Sequence, residues 1–367
     1  MSSGRTSWHA PGRVNLIGEH TDYNAGFALP FAIEQGCVAT ASLSAGATVV
    51  ATSAQRTDSV TVPLSEVRTA ESGWAGYVVG VVWVLQQRGV TVPGLRIDVD
   101  SSVPDGAGLS SSAALVCSVA AALDDLLGLA LSADELLAVT RSVENDFVGA
   151  PTGGLDQLAA LRCTAGNVLL CDMRSLTVRQ VPFGLEKAGL AMLVIDTHAH
   201  HEHATGQYGA RRAGCEQAAA RLGVPALRDI DVSGLDGALA RLDDDTLRRY
   251  TRHIVTENDR VLQTVALLEH GDITGIGPLL TASHASLRDD YRVTIDELDV
   301  AVETAIAAGA YGARMTGGGF GGSVIALLDR DRVDACVQDV RTAFADRGFT
   351  APGTFLARAM PGAHRLD

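Results

Sequence analysis

The sequence predicts an α+β protein built from two domains. Three observations carry this expectation. The chain has 367 residues, more than a single compact core usually holds. Its first half alternates strand-like and helix-like segments around a glycine-rich turn. Its second half opens and closes on apolar strand-like runs and is helical in pattern between them, so its sheet comes from the two ends of the segment. The boundary is expected near residue 185, giving domains of 1–185 and 186–367.

Residues 1–9 are short and polar and read as a loose start. Val14-Asn15-Leu16-Ile17 then reads as a strand that ends at Gly18 and releases Glu19, His20, Thr21 and Asp22. Polar groups clustered just after a buried strand commonly line a site, and carboxylates with an imidazole suit the hydroxyls of a sugar. Taken alone, a solvated turn held by Asp22 and Asn24 explains the cluster as simply. Arg13 is the only cation of the stretch and the obvious candidate to meet a phosphate.

Residues 37–62 alternate in the manner of strands, and 74–87 reads as a helix. Leu95-Arg96-Ile97-Asp98-Val99-Asp100 alternates apolar and polar, a strand. Ala113 to Leu127 is a long Ala/Leu/Val run with helix length, and Gly128 is a plausible stop. Between the two lies the turn Gly106-Ala107-Gly108-Leu109-Ser110-Ser111-Ser112. A helix start has unsatisfied N–H groups and partial positive charge, and glycines let a bulky anion approach the backbone. A phosphate chain is the natural guest. A merely well-capped helix fits the same residues. No Lys follows the glycines, so this is not a Walker loop, and phosphate here needs a metal ion and an Arg from elsewhere.

Residues 131–147 read as a helix opened by a capping box, Ser132 with Glu135, and carrying Glu144 near its end. The Gly/Pro-rich turn 149–157 follows and presents Asp156; without other context, a cap for the next helix, 157–161, is the commoner explanation of such a carboxylate. Residues 168–170 and 178–181 read as a hairpin, and 190–196 as an apolar strand. The run Thr197-His198-Ala199-His200-His201-Glu202-His203 invites a metal reading, but an extended chain splays neighbouring histidines, so a solvated run is expected. Tyr208 and Arg211-Arg212 head a helix, and 209–309 is mostly helical. A second glycine loop, 314–323, opens into strand 324–328, followed by helix 333–347 and strand 354–359.

Composition narrows the class. Apolar residues make up 47% and charged residues 20%, ordinary for a soluble globular protein. The net charge of −14 disfavours nucleic acid or anionic membrane as a partner held by bulk electrostatics. The six cysteines lack paired spacing and read as free thiols of a reducing cytosol. No signal pattern opens the chain, and the apolar run at 78–85 is too short to span a bilayer. A cytoplasmic protein is expected, with a monomer as the default state.

Three stretches together resemble the galactokinases, within the superfamily of galacto-, homoserine, mevalonate and phosphomevalonate kinases. They are Gly12-Arg13-Val14-Asn15-Leu16-Ile17-Gly18-Glu19-His20-Thr21-Asp22-Tyr23, the loop 106–114, and Thr316-Gly317-Gly318-Gly319-Phe320-Gly321-Gly322. The loop alone suggests the superfamily, and the Gly-Glu-His-Thr-Asp-Tyr run narrows it to the galactokinase branch. Further matches lie at Glu144-Asn145, Asp156-Gln157, His201-Glu202, Arg212, Ser283-His284 and Asp290-Tyr291. The resemblance implies a two-domain sugar-kinase fold of this superfamily with the site in the cleft between domains. It implies transfer of the γ-phosphoryl of ATP to the anomeric hydroxyl of α-D-galactose, a step of galactose metabolism. Carried over, Glu19, His20, Asp22, Gly153 and Tyr208 hold the sugar, and 106–112 wrap the ATP phosphates. Ser112 and Glu144 hold Mg²⁺, Asp156 is the base and Arg13 stabilises the transition state. The sequence departs from the family pattern at Ala25, Gly154 and Ser323; Gly154 bears on the turn that holds Asp156. Two further readings remain open. One is a sister 1-kinase for another galacto-configured sugar. The other is a non-enzymatic galactose sensor, against which the intact serine loop argues.

Overall fold

The computed structural model describes residues 4–68, 73–150, 152–200 and 204–366. The strands in chain order are β1 (Arg5–Asn15), β2 (Phe27–Ala28), β3 (Pro30–Leu43), β4 (Thr48–Ser53), β5 (Ser59–Pro63), β6 (Leu95–Ser101), β7 (Asn167–Asp172), β8 (Thr177–Pro182), β9 (Leu190–His200), β10 (Gly312–Thr316), β11 (Gly321–Asp329), β12 (Gly353–Ala357) and β13 (His364–Leu366). The helices are α1 (Gly76–Gln87), α2 (Ser111–Leu127), α3 (Ala133–Ser142), α4 (Leu155–Arg162), α5 (Ala204–Leu222), α6 (Leu235–Ala240), α7 (Asp245–Glu269), α8 (Gly277–Ser286), α9 (Asp296–Ala307) and α10 (Val333–Arg347).

The first sheet has the order β13-β1-β3-β6-β4-β5. On β3, Cys37, Ala39 and Ala41 are buried while Val38, Thr40 and Ser42 are only half-buried, so one face of the pleat meets the core. α2 lies on β1 and β3. Its apolar residues cover most of its circumference, which suits a helix wedged between a sheet and neighbouring helices. It stops at Gly128, whose φ of +62° is left-handed and whose N–H bonds the Asp124 and Asp125 carbonyls.

A second sheet, β10-β11-β9-β12, is fully antiparallel. Alternation on its central strands feeds two different cores. Met192 and Val194 of β9 and Ile325 and Leu327 of β11 join the core of the first sheet. Leu193 and Ile195, with Val324, Ala326 and Leu328, pack with α5, α7, α9 and α10. A strand buried on both faces reads as a continuous apolar run, which is how 190–195 and 324–328 look in sequence. The shared core also joins the two halves into one frame, and β13 returns to the edge of the first sheet. A small third sheet, β2-β7-β8, completes the fold.

Several expectations need correction. Residues 4–9 are not loose. From Arg5 they form β1, paired along its length with β3, and Trp8 Nε1 donates to Asp125 at 3.1 Å. Their partners lie far away in sequence, so no local pattern announces them. The strand read at 14–17 ends at Asn15. The glycine loop 314–323 is a β10–β11 hairpin with its turn at 317–320. The helix read at 131–147 keeps its capping box, but after Ser142 it widens into a π-helical turn over Val143–Val148. Such wide turns often mark functional positions, and this one carries Glu144.

Candidate active site

β1 shifts register between Pro11 and Arg13, and Arg13, paired there with Ala32, sends its side chain to the start of α4. There Asp156 sits in the first helical turn, not on a free turn as read from sequence. Arg13 Nε and Nη2 both donate to Asp156 Oδ1, each at 2.8 Å, and Nη1 donates to the Gly108 carbonyl at 2.6 Å. One guanidinium therefore ties Asp156 to the glycine-rich loop. The pair uses only Oδ1, so Oδ2 of Asp156 is left for other partners.

That loop takes a strained path. Gly106, Gly108 and Ser110 all have φ between +62° and +73°. Ser110 stands at the N-terminal boundary of α2, but its buried Oγ makes no capping bond and has no partner. Ala107 and Leu109 bury their side chains in the core, so only their backbone can serve a ligand. The second glycine loop packs against this one, backbone to backbone. A Cβ on Gly317 would stand 2.8 Å from the Gly108 carbonyl, and Ser323 Oγ donates to the Ala107 carbonyl at 2.8 Å. Neither sequence stretch shows that the two loops touch.

Ser112 Oγ donates to Glu144 Oε1 at 3.2 Å, and Thr152 Oγ1 donates to Oε2 at 2.8 Å. The π-helical turn and α2 bring these oxygens together. Burial, then the nearby Asp156 charge, push the Glu144 carboxyl up from its ordinary range. Its neighbours are hydroxyl, amide and carboxylate groups rather than cations. A buried carboxylate beside a hydroxyl, short of positive charge, fits a hard cation such as Mg²⁺.

A cavity of about 320 Å³ opens next to these groups. It is lined by Arg13, Glu19, His20, Asp22, Asp156 and Tyr208, with the turn 317–320 across it. Gly153 stands at its edge, its N–H donating to Asp22 Oδ2 at 3.3 Å. Burial, then the charge of Asp156, raise Asp22 to about 6. Burial lowers His20 to about 3, so its imidazole is neutral near pH 7. A second cavity, of about 500 Å³, is lined by Ser111 and Ser112 with Trp74, Tyr77 and Leu115.

Residues that sequence reading passed over hold this arrangement. Glu19 accepts from Asn15 Nδ2 at 2.5 Å and from the Gly317 N–H at 2.6 Å. Arg314, fully buried on β10, donates Nη1 to the carbonyls of Asn15 and Leu16 at 3.1 and 3.2 Å and lies 3.5 Å from Glu19. Its Nη2 is 3.8 Å from Glu257, which in turn accepts the Gly18 N–H at 2.9 Å and the Ser283 hydroxyl at 2.7 Å. Two signals were present in the sequence: Asn15 between apolar residues and four before a Glu, and an Arg inside a small apolar strand. Of the histidine run, His198 Nδ1 contacts the Ala351 carbonyl at 2.9 Å, while His201 and His203 lie outside the described residues. All six cysteines are free and buried. No helix among the described residues is long and apolar enough to cross a membrane.

A glycine-rich loop at a helix start, an Arg–Asp pair and a cavity of small-molecule size faced by three carboxylates fit a small-molecule phosphotransferase. Known proteins place it more narrowly. Residues 2–43 match the galactokinase galactose-binding signature, 76–163 the GHMP kinases N terminal domain and 264–346 the GHMP kinases C terminal domain. The galactokinase of Streptomyces coelicolor is 49% identical over 98% of this chain and 94% of its own length. That of Mycobacterium tuberculosis is 45% identical over 97% and 98%. The structure of Lactococcus lactis galactokinase complexed with galactose superposes with a TM-score of 0.94 at 33% identity, over 99% of this chain and 95% of that one. The chain belongs to the galactokinase family, and it is an ATP-dependent sugar kinase with the two-domain α+β fold of the GHMP kinases.

Proposed function

We propose that the protein transfers the γ-phosphoryl of ATP to the anomeric hydroxyl of α-D-galactose, giving galactose 1-phosphate and ADP. The observation that supports this best is the shared position of Asp156, held by Arg13 between the phosphate loop and the polar cavity. Residues 1–185 and 186–367 act as two lobes with this site between them. Galactose occupies the smaller cavity, with Glu19, His20, Asp22, the Gly153 N–H and Tyr208 meeting its hydroxyls. A carboxylate offers about four lone-pair sites, so Glu19 retains acceptor capacity beyond its protein partners. The ATP phosphates follow 106–112 and the start of α2, and the flat walls of Trp74 and Tyr77 suit its base.

Phosphoryl transfer needs positioning and charge neutralisation more than covalent help. Asp156 Oδ2 is free to take the hydroxyl proton, and Arg13 faces the charge that develops on the transferred group. Ser112 and Glu144 would hold Mg²⁺, which when bound neutralises phosphate charge. No residue binds a nucleic acid or a membrane in this reading, and the enzyme works in the cytoplasm as a monomer.

The test is a coupled ATP-turnover assay across a sugar panel, with NMR locating the phosphate. Galactose should be phosphorylated at its anomeric oxygen, with little turnover of glucose. A 6-phosphate product, equal rates on glucose, or preference for a 2-substituted sugar would overturn the assignment. In the same assay Ser112→Ala and Glu144→Ala should raise the Mg²⁺ concentration needed for half-maximal rate while galactose binding survives. An unchanged Mg²⁺ titration in both would remove the metal role.

A pH dependence follows from Asp22. Sugar hydroxyls donate to its ionised form, so binding favours loss of its proton. Affinity for galactose should hold above about pH 6 and fall below it, by at most about tenfold per pH unit for one linked proton. Calorimetry between pH 5 and 8 reads this directly. Asp22→Asn should flatten the dependence, and a profile unchanged in that variant would assign it to another group.

A further inference from the structure

The sugar cavity is rich in hydrogen-bond acceptors. Glu19, Asp22 and Asp156 all face it, and ionised carboxylates only accept. A polyol hydroxyl that donates to a carboxylate still has an oxygen in want of a donor. His20 can supply one only if its proton is on the nitrogen that faces the cavity. Its Nε2 is buried and has no partner. Its Nδ1 lies 2.8 Å from the Tyr23 hydroxyl. The imidazole is neutral, so Tyr23 decides which nitrogen carries the proton.

Tyr23 is itself constrained. Its hydroxyl lies 2.8 Å from that of Tyr291, which lies 3.1 Å from Cys215 Sγ. Burial pushes both phenols well above their ordinary range, so each oxygen carries one proton. With both hydroxyls donating within the chain, it can run only two ways. In one direction every proton points toward His20: Cys215 to Tyr291, Tyr291 to Tyr23, Tyr23 to Nδ1. Nε2 then bears the hydrogen. In the other, Nδ1 bears it and Nε2 offers a further acceptor to a cavity that already has many.

The site spends strain on this placement. His20 has a left-handed φ of +63°, costly for a residue with a Cβ. Asn24 Nδ2 fixes that turn by donating to the His20 carbonyl at 2.9 Å. The ring is packed among Tyr23, Tyr208 and Tyr291, with centroids 4.7 to 5.9 Å away.

We propose that Tyr23, oriented by Tyr291, is a positioning residue that holds His20 as the Nε2–H tautomer, making it a hydrogen-bond donor in a sugar site rich in carboxylate acceptors. This rests on the sugar reading of the cavity. The test uses the full-length protein labelled with ¹⁵N-histidine, His20 being assigned by its loss in His20→Gln. Long-range proton–nitrogen correlation reports the tautomer with no sugar present. The wild type should show Nε2 protonated. Tyr23→Phe should give a mixture or the Nδ1–H form. Tyr291→Phe should shift the ratio in the same direction but less. In kinetics, Tyr23→Phe should raise KM for galactose about tenfold, the worth of one hydrogen bond, while kcat and the KM for ATP stay within about twofold. A wild type protonated on Nδ1, or a Tyr23→Phe tautomer identical to wild type, would overturn the proposal. Failure to turn over galactose at all would sink the function reading, yet the tautomer spectra would still decide this one.

Discussion

Asp156→Asn should leave a folded enzyme that binds galactose and turns it over very slowly. The amide can still accept from Arg13 Nε and Nη2 through the oxygen in the place of Oδ1, so the link from α4 to the phosphate loop survives. Only the free second oxygen is lost as a proton acceptor. Removing a general base typically costs about 10² to 10⁴ in rate, and the fall should appear in kcat rather than in KM. Steady-state kinetics and galactose calorimetry on one preparation separate the possibilities. A kcat within a few-fold of wild type would make Asp156 a structural partner of Arg13. Lost galactose binding would make it chiefly a sugar ligand. Gly154, the unusual neighbour, has φ of +96°, and a Cβ there would meet Arg141 at 2.6 Å. Glycine suits this turn, so the departure from the family pattern carries no expected penalty in rate.

Arg314→Met should cause the largest loss of stability of any single change near the site. The guanidinium is fully buried and satisfies the carbonyls of Asn15 and Leu16 while facing Glu19. Methionine fills much of the volume but answers none of those groups. Removing one partner of a buried charge typically costs about 3–5 kcal/mol, because the others remain buried and unpaired. Glu257 is protected, since Arg260 Nε still pairs with it at 2.8 Å. The charge left buried without its cation is Glu19, and with it the turn anchored by the Gly317 N–H. Denaturant unfolding should show the loss, and KM for galactose should rise alongside it. A change below about 1 kcal/mol would mean that Glu19 finds other partners or takes up a proton.

Much of the fold is legible in the sequence because its signals are local. The capping box at Ser132 and Glu135, the stop at Gly128 and the helix at 333–347 are set by residues within a few positions of one another. The apolar runs at 190–195 and 324–328 announce strands buried on both faces. The motifs carrying Arg13, Glu19, His20, Asp22 and Asp156 are contiguous stretches, so the chemistry could be named from sequence.

What the tertiary structure decided are the pairings between distant residues. Strand β1 begins at Arg5 because β3 and β13 flank it, and nothing in 5–9 encodes those partners. The glycines at 108 and 317 are needed because two loops some two hundred residues apart lie backbone against backbone. Arg314 looked like one charge in a strand, and only the fold shows it between Glu19 and Glu257. Likewise Tyr23, His20, Tyr291 and Cys215 form one hydrogen-bonded chain drawn from three separate segments. Sequence specifies which chemical groups exist and the local geometry each prefers. Burial and long-range hydrogen bonding then set which of them meet, which lose their water, and so where their protons lie.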